Sequence, residues 1–316
     1  MSHISSPTSK NLLQEPISWL YSLYKFSRPH TIIGTSLSVL ALYIIAITNL
    51  ESFFGLESLW QLFGTWLACL CGNIYIVGLN QLEDIAIDRV NKPYLPIAAG
   101  EFSRQQGRWI VGITGILALI LAVSLGKWLL ATVSTSLIIG TAYSLPPIRL
   151  KKFPFWAALC IFTVRGVIVN LGLFLHFSKT LQGQEIILPF VWVLTLFVLV
   201  FTIAIAIFKD VPDMEGDKQY NIKTFTLILG KHSVFNITCW IITFCYLGTI
   251  LAGFFHLPGV NCLFLIASQI GLLILLWWRS QGVNLDNKGE IAQFYQFIWK
   301  LFFLEYFFFP IACLLQ

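Results

Sequence analysis

The sequence predicts an all-α polytopic membrane protein of nine transmembrane helices, with two aspartate-rich loops on one membrane face. Three observations carry this. Charged residues make up only 11% of the 316 positions, less than half the roughly 25% of a soluble domain, so they cannot wet the surface of a soluble protein this size. Apolar residues gather in unbroken runs of about 20, the length that crosses a hydrocarbon core about 30 Å thick. Basic residues fall almost wholly on alternate loops. The same composition excludes disorder and a small disulfide scaffold. Runs that are continuous, and do not alternate in twos, argue against a β-barrel.

Taken in order, residues 1–28 are expected to form an N-terminal cytoplasmic segment, and 29–316 the membrane domain. Ser2, Ser5, Ser6 and Ser9 enrich the start, yet Glu15 is present and no Arg-rich amphipathic stretch follows, so it does not read as a transit peptide or cleaved signal. The spans are expected at 30–49, 59–82, 107–126, 128–145, 154–177, 188–208, 232–254, 258–279 and 292–314. Gly126 and Lys127 are the only break between the third and fourth. Ser103 to Gln106 fits a capping box that starts the third span. Long loops, 83–106 and 209–231, follow the second and sixth spans.

This arrangement puts 16 of the 20 Lys and Arg residues on the side of the N-terminus and only Lys127 and Lys179 opposite, with Arg165 and Lys300 inside spans. One helix more or fewer would scramble that split. The basic side is expected to be cytoplasmic. Plain topology accounts for the net charge of +5, and nucleic-acid binding is not indicated. The seven cysteines all sit in apolar spans and read as small hydrophobes, and the five histidines show no ligand spacing.

Seven of the 15 acidic residues lie in two short blocks. The first reads N-Q-L-E-D-I-A-I-D-R-V-N-K-P from Asn80, and its Asn80, Asp84 and Asp88 stack on one face if the helix continues. The second reads K-D-V-P-D-M-E-G-D-K from Lys209, where Asp213 and Asp217 repeat the four-residue step and Asp210 precedes them. Alone, one such pair is a solvated helix end. Two blocks that leave even-numbered spans share a membrane face, and their carboxylates repel unless cations lie between them. Mg²⁺ is usually held by one or two carboxylates plus substrate phosphates. Arg89, Lys92, Arg149, Lys151, Lys152 and Lys209 are interleaved at the same face. The pattern points to a Mg²⁺–diphosphate site, with metal and cations carrying the charge of a departing diphosphate. The blocks echo each other further: Asn91, Lys92 and G-E-F-S follow Asp88, while Asn221, Lys223 and G-K-H-S follow Asp217, which suggests a tandem repeat of spans 1–4 and 5–8.

Deep in the fifth span, Arg165 reads either as a diphosphate contact or as half of a structural pair, and Asn170, five positions on, does not share its face in an α-helix. Lys300 and Glu305 read as structural, with Glu305 near the far interface. Among the 48 aromatics, which offer faces to a cation, Tyr143 is singled out as a site residue.

The motifs N-x-x-x-D-x-x-x-D (Asn80, Asp84, Asp88) and D-x-x-x-D (Asp213, Asp217) resemble those of the UbiA superfamily of intramembrane prenyltransferases, over nearly the whole chain. Many members have Asn-Asp where this chain has Asn80-Gln81. F-S-R-P-H-T-I-I-G-T at 26–35, Y-S-L-P-P-I-R-L-K-K at 143–152, K-D-V-P-D-M-E-G-D at 209–217 and Q-F-Y-Q-F-I-W-K-L-F-F-L-E-Y at 293–306 resemble the homogentisate-using branch, cyanobacterial phytyl-transferring members above all. The resemblance implies Asn80, Asp84 and Asp88 around one Mg²⁺, Asp213 and Asp217 around a second, and Arg28, Lys92 and Lys151 on the diphosphate. It implies transfer of a phytyl group from phytyl diphosphate to homogentisate with loss of CO₂, giving a methyl-phytylbenzoquinol for tocopherol synthesis in a thylakoid or plasma membrane. Geranylgeranyl or solanesyl transfer, and a chlorophyll synthase-like acceptor, stay open, as does the oligomeric state. An ion-coupled transporter would place ionisable residues at the midplane on broken helices, and a purely structural subunit would need neither acidic block.

Overall fold

A computed structural model describes residues 10, 12–49, 55–220 and 224–316, and these are helical throughout their membrane portion. Ser2, Ser5, Ser6, Ser9, Asn221 and Lys223 lie outside the described residues. The helices run α1 Pro16–Phe26, α2 Pro29–Asn49, α3 Leu56–Glu83, α4 Ile85–Asn91, α5 Arg104–Leu125 and α6 Lys127–Ser144. After a short 3-10 turn at Leu150–Lys152 come α7 Pro154–Phe162, a π-helical turn Thr163–Ile168 and α8 Val169–Gln182, which together make one span. Then follow α9 Pro189–Phe208, α10 Met214–Gln219, α11 Phe225–Leu229, α12 Lys231–Phe254, α13 Cys262–Ser280 and α14 Lys288–Leu314.

Each expected span has its helix among the described residues. Eight are long and apolar enough to cross a membrane. The ninth, α6, has 18 residues and is laced with hydroxyls. Thr132, Ser136 and Thr141 return theirs to carbonyls four residues back in the same helix, at 2.7 Å, so these groups need no water. α5 and α6 are separated only by Gly126, whose φ of 141° is open to glycine alone. The Ser103–Gln106 capping box closes on both sides, at 2.9 and 3.1 Å.

The nine spans pack as a closed ring in chain order, from α2 against α3 round to α14 against α2, while α2 also meets α8 across the ring. Tyr43 and Phe177 touch there, ring centres 5.3 Å apart, which fills the end remote from the acidic loops. Outward faces carry large exposed apolar residues such as Trp109, Ile116, Phe244 and Trp278, as lipid-facing helices must. Lys127 and Lys179 both pair with Glu185, at 2.6 and 3.4 Å, so the two sparse basic positions share one end. At the opposite end Lys288 meets Glu215 and Lys231 meets Asp286.

The N-terminal segment is more than a leader to the first span. α1 inserts Phe26 against Phe102, and Glu101 gathers Lys25 and Ser22 from α1, the latter at 2.5 Å, and Lys10 from the stretch before it. Gln81 donates to the Phe26 carbonyl at 2.7 Å. That bond ties α1 to the helix that carries the first acidic block.

Candidate active site

Both acidic blocks sit where a helix breaks and restarts. Asp84 closes α3 and opens α4, yet the four-residue backbone bonds run on from Asn80 to Asp84 and from Asp84 to Asp88. Asn80, Asp84 and Asp88 therefore keep nearly the common face that the spacing predicts. Asp213 opens α10 in the same way, and the Asp217 amide bonds back to it at 3.2 Å.

Asp84 is the most heavily engaged carboxylate of the two blocks. It accepts from Lys151 at 2.7 Å, Arg149 at 3.0 Å and Asn80 at 3.1 Å. Arg28 reaches Asn80 at 3.3 Å. Arg28 and Arg149 both adopt left-handed backbone, φ 53° and 40°, which costs on the order of 1–2 kcal/mol at a non-glycine residue. Two such positions, both arginines facing one motif, mark a site whose surroundings hold it in shape.

The second block is fastened to the first. Lys92 pairs with Asp213, Asn91 donates to Asp217 at 3.5 Å, and the Gly216 amide donates to the Asn91 side chain at 2.9 Å. A Cβ at Gly216 would lie 2.2 Å from that side-chain oxygen, so only glycine admits the contact. Tyr220 adds a bond to the Ala86 carbonyl at 3.1 Å.

Asp88 and Asp217 are both buried, 5% and 6% exposed. Burial raises the Asp88 carboxyl to about 6 against the pull of Arg28 and Lys92, and Asp84 and Asp213 raise it further. Burial takes Asp210 to about 6, and burial with the neighbouring Asp210 and Asp213 takes Asp217 to about 7. Lys151 is lowered by its own burial, which Asp84 only partly opposes. At Lys92 burial also works against the charge, but Asp213 more than offsets it.

The fit to a divalent cation can be judged from these groups. One oxygen of Asp88 is buried without a hydrogen-bond partner, and hard carboxylate donors are what Mg²⁺ takes. Among the described residues no three Asp, Glu, His or Cys converge into a ready cage. Such a donor set suits a cation shared with substrate phosphates, where the protein supplies one or two carboxylates per ion.

Lys209 donates to the Tyr143 hydroxyl at 3.1 Å. With Arg28 and Asn80, these two stand at the charged end of a cavity of about 290 Å³ that runs inward to Arg165, Trp299, Phe302 and Tyr306. Two expected cations are not brought to the blocks. Arg89 and Lys152 are exposed, and among the described residues neither forms an ion pair, because each follows a residue (Asp88, Lys151) that takes the inward face.

Arg165 lines the same cavity as Arg28 and Lys209 but is not half of a structural ion pair among the described residues. It contacts no residue of either block, and among the described residues it has no acidic partner. Its guanidinium lies 4.6 Å from the Trp299 ring centre and 5.7 Å from that of Phe302. Asn170 does meet its backbone, donating to the Arg165 and Gly166 carbonyls at 2.9 and 2.8 Å. The π turn brings residues five apart together, which α-helical spacing forbids. Glu305 is fully buried against α13, accepting from Gln269 at 2.9 Å. His30, Asn73, Tyr295 and Trp299 line the cavity unannounced, since in an apolar span they look like filler.

A ring of membrane helices encloses a cavity with aromatic residues and the cations Arg28, Arg165 and Lys209 in its lining, and Asn80 joins that lining to the first acidic block. The UbiA prenyltransferase family model matches residues 37–301, and the chain belongs to that family. It is 58% identical over 294 residues to a homogentisate phytyltransferase of Synechocystis, covering 93% of this chain and 96% of the relative. A homogentisate solanesyltransferase of Arabidopsis thaliana is 37% identical, covering 91% and 75%. A UbiA homolog from Archaeoglobus fulgidus, solved with GPP and Mg²⁺, superposes with a TM-score of 0.62 at 17% identity, covering 93% of this chain and all of that one. At that identity the likeness speaks for the fold. The protein is thus an integral membrane prenyltransferase.

Proposed function

We propose that this protein transfers the phytyl group of phytyl diphosphate to homogentisate with loss of CO₂, the prenylation step of tocopherol synthesis, in a cyanobacterial thylakoid or plasma membrane with its N-terminus in the cytoplasm. The observation that carries the reading is the junction of the two acidic blocks, Lys92 to Asp213 and Asn91 to Gly216, beside the charged mouth of an aromatic-walled cavity. The 58% identity to the Synechocystis phytyltransferase supports the donor and acceptor.

Arg28, Lys92, Lys151 and Lys209 are positioned to hold the diphosphate, with Arg149 beside them. As the allylic C–O bond breaks, the electron pair leaves with the diphosphate, and fixed positive charge there stabilises the transition state. Asn80, Asp84 and Asp88 would hold one Mg²⁺ and Asp213 and Asp217 the second, with Asp210 close behind them. Bound Mg²⁺ supplies further neutralisation of the departing diphosphate. The aromatic walls keep water from the allylic cation and present π faces to it. A carbon of the electron-rich phenol then takes the phytyl group, and the ring returns to aromaticity by losing its proton at that carbon. The acetate arm loses CO₂ and takes up a proton in its place, which leaves the methyl group and releases no net proton. A cavity of about 290 Å³ is at the small end of ligand pockets, which leaves the C20 tail to extend between helices into lipid.

Membranes containing the protein, given homogentisate, labelled phytyl diphosphate and Mg²⁺, are expected to form the phytylated quinol. Product that survives both Asp84→Ala and Asp213→Ala would refute the metal assignment. A competition among phytyl, geranylgeranyl and solanesyl diphosphates tests the chain length, and equal or better use of geranylgeranyl would replace the donor but keep the mechanism. Transfer to a chlorophyllide carboxylate in place of homogentisate would replace the acceptor.

A further inference from the structure

We propose that Arg165 receives the carboxylate of the aromatic acceptor and thereby selects acidic phenols over neutral ones. This rests on the acceptor class named above and adds the residue that recognises it.

A guanidinium inside a membrane bundle is expensive unless it is paired. Among the described residues, the ion pairs include none to Arg165. Glu305, the buried acid on the helix Arg165 packs against, accepts from Gln269 with one oxygen, has no hydrogen-bond partner for the other, and forms no ion pair with Arg165. Stacking on Trp299 and Phe302 offsets part of the burial cost but supplies no negative charge. The side chain lines the cavity, so the missing anion can be a ligand.

Arg165 stands below the cations assigned to the diphosphate, on the inner side of the Trp299 ring whose neighbour His30, two residues from Arg28, lies 4.9 Å away. The cations assigned to the diphosphate, Arg28, Lys92, Lys151 and Lys209, all stand in loops or at span ends. Arg165 lies 11 residues beyond Pro154, the start of its span just after Lys151, or about 16 Å of helical rise. Trp299 lies 11 residues beyond Lys288, whose partner Glu215 belongs to the second acidic block, again about 16 Å. Two helices entering from the same end therefore bring the cation and its aromatic platform to one level, well inside the bundle.

The cation is also held in place. The π turn carries it, Asn170 binds the carbonyls of Arg165 and Gly166, and the Tyr306 hydroxyl fixes Asn170 at 2.8 Å. Gly166 lets α9 approach so closely that a Cβ would lie 2.6 Å from the Leu199 Cα. A flat arene with an acetate arm needs a fixed cation beside aromatic walls, and Trp299, Phe302 and Tyr295 provide the walls.

The test compares homogentisate with its neutral amide, 2,5-dihydroxyphenylacetamide, on full-length protein in nanodiscs, reading both turnover and direct acceptor binding. Wild type is expected to favour the acid by about 100-fold in KM and in Kd, the size of a buried charged hydrogen-bonded pair. Arg165→Met should bring acid and amide within about twofold of each other and leave the KM for phytyl diphosphate unchanged. Acid preference that survives in Arg165→Met, or a wild type indifferent to the carboxylate, overturns the proposal. So does a raised KM for phytyl diphosphate with acceptor binding intact, which would return Arg165 to the diphosphate. If Arg165→Met does not fold, Arg165→Lys takes its place, with an expected rise of about tenfold in the acid's KM alone. An unchanged KM overturns the proposal. A wild type inert toward homogentisate but active on 4-hydroxybenzoate would remove the named acceptor. Loss of 4-hydroxybenzoate binding in Arg165→Met would then still support the carboxylate site.

Discussion

The two acidic blocks use the same four-residue step at the same kind of helix break, yet they are secured differently. The first is a hub. Asp84 holds Arg149 and Lys151 from the loop after α6, and Asn80 holds Arg28 from the turn before α2. The second leans on the first, since Asp213 and Asp217 are bound by Lys92 and Asn91, the residues that end the first block. In each, the leading aspartate meets a cation directly, while the trailing one, Asp88 or Asp217, is buried without a direct ion pair. Buried carboxylates short of positive charge are where an added divalent cation gains most. The difference teaches that the second half of the site depends on the first for its position.

The largest effect should come from the trailing carboxylates. Asp88→Asn and Asp217→Asn are each expected to lower turnover by on the order of 10³-fold, and the double variant should be little worse than either. Multiplying losses would show that the blocks work separately.

Next in size are the cations. Lys92→Met removes the link between blocks and should cost about 100-fold in kcat/KM, whereas Lys151→Met, which touches only the first block, should cost about tenfold. A double-mutant cycle on Lys92 and Asp213 checks the link, and a coupling near zero would break the hub model.

Acidity gives a smaller, graded effect. Asp88 and Asp210 at about 6 and Asp217 at about 7 lie above their ordinary value of 3.8. As pH rises from 4 to 7 the unfolded chain therefore sheds these protons first, and the ligand-free fold loses stability. A cation needs the carboxylates ionised, so Mg²⁺ affinity should instead rise, by about tenfold or more between pH 6 and 8. Asp217→Asn should remove the part of that rise near pH 7, and Asp88→Asn should leave it. Calorimetric titration of the metal with diphosphate present would show a flat profile if the reading is wrong.

The smallest effect tests the seam itself. Gly216→Ala pushes a methyl into Asn91, and should destabilise by about 1–3 kcal/mol and slow turnover a few-fold. Asn91→Ala in the same chain should recover part of the stability, read as a melting temperature. No recovery would mean that the contact is not what limits Gly216.

Much of this was legible without coordinates. Continuous apolar runs placed nine spans to within a few residues, and the four-residue step placed Asn80, Asp84 and Asp88 along one face, because helical periodicity is local. Arg89 and Lys152 were misjudged for a related reason: adjacency in sequence puts neighbours on different faces, and only the neighbour turned inward can serve a site. The bond from Asn170 to the Arg165 carbonyl was not legible, because nothing in T-V-R-G-V-I announces a π turn. His30, Asn73, Tyr295 and Trp299 gave no signal, since one polar or aromatic residue in a lipid-facing run looks like any other.

By itself the sequence determined the membrane architecture, the end at which the charges gather and the four-residue step of the two acidic blocks. Lipid forbids charge within the spans, so the charges collect at their ends. Only the tertiary structure decided which cation meets which carboxylate, and that Arg165, with no acidic partner among the described residues, stands on Trp299 inside the bundle. Such pairings join residues as far apart as Lys92 and Asp213, through a ring closure that no local pattern encodes.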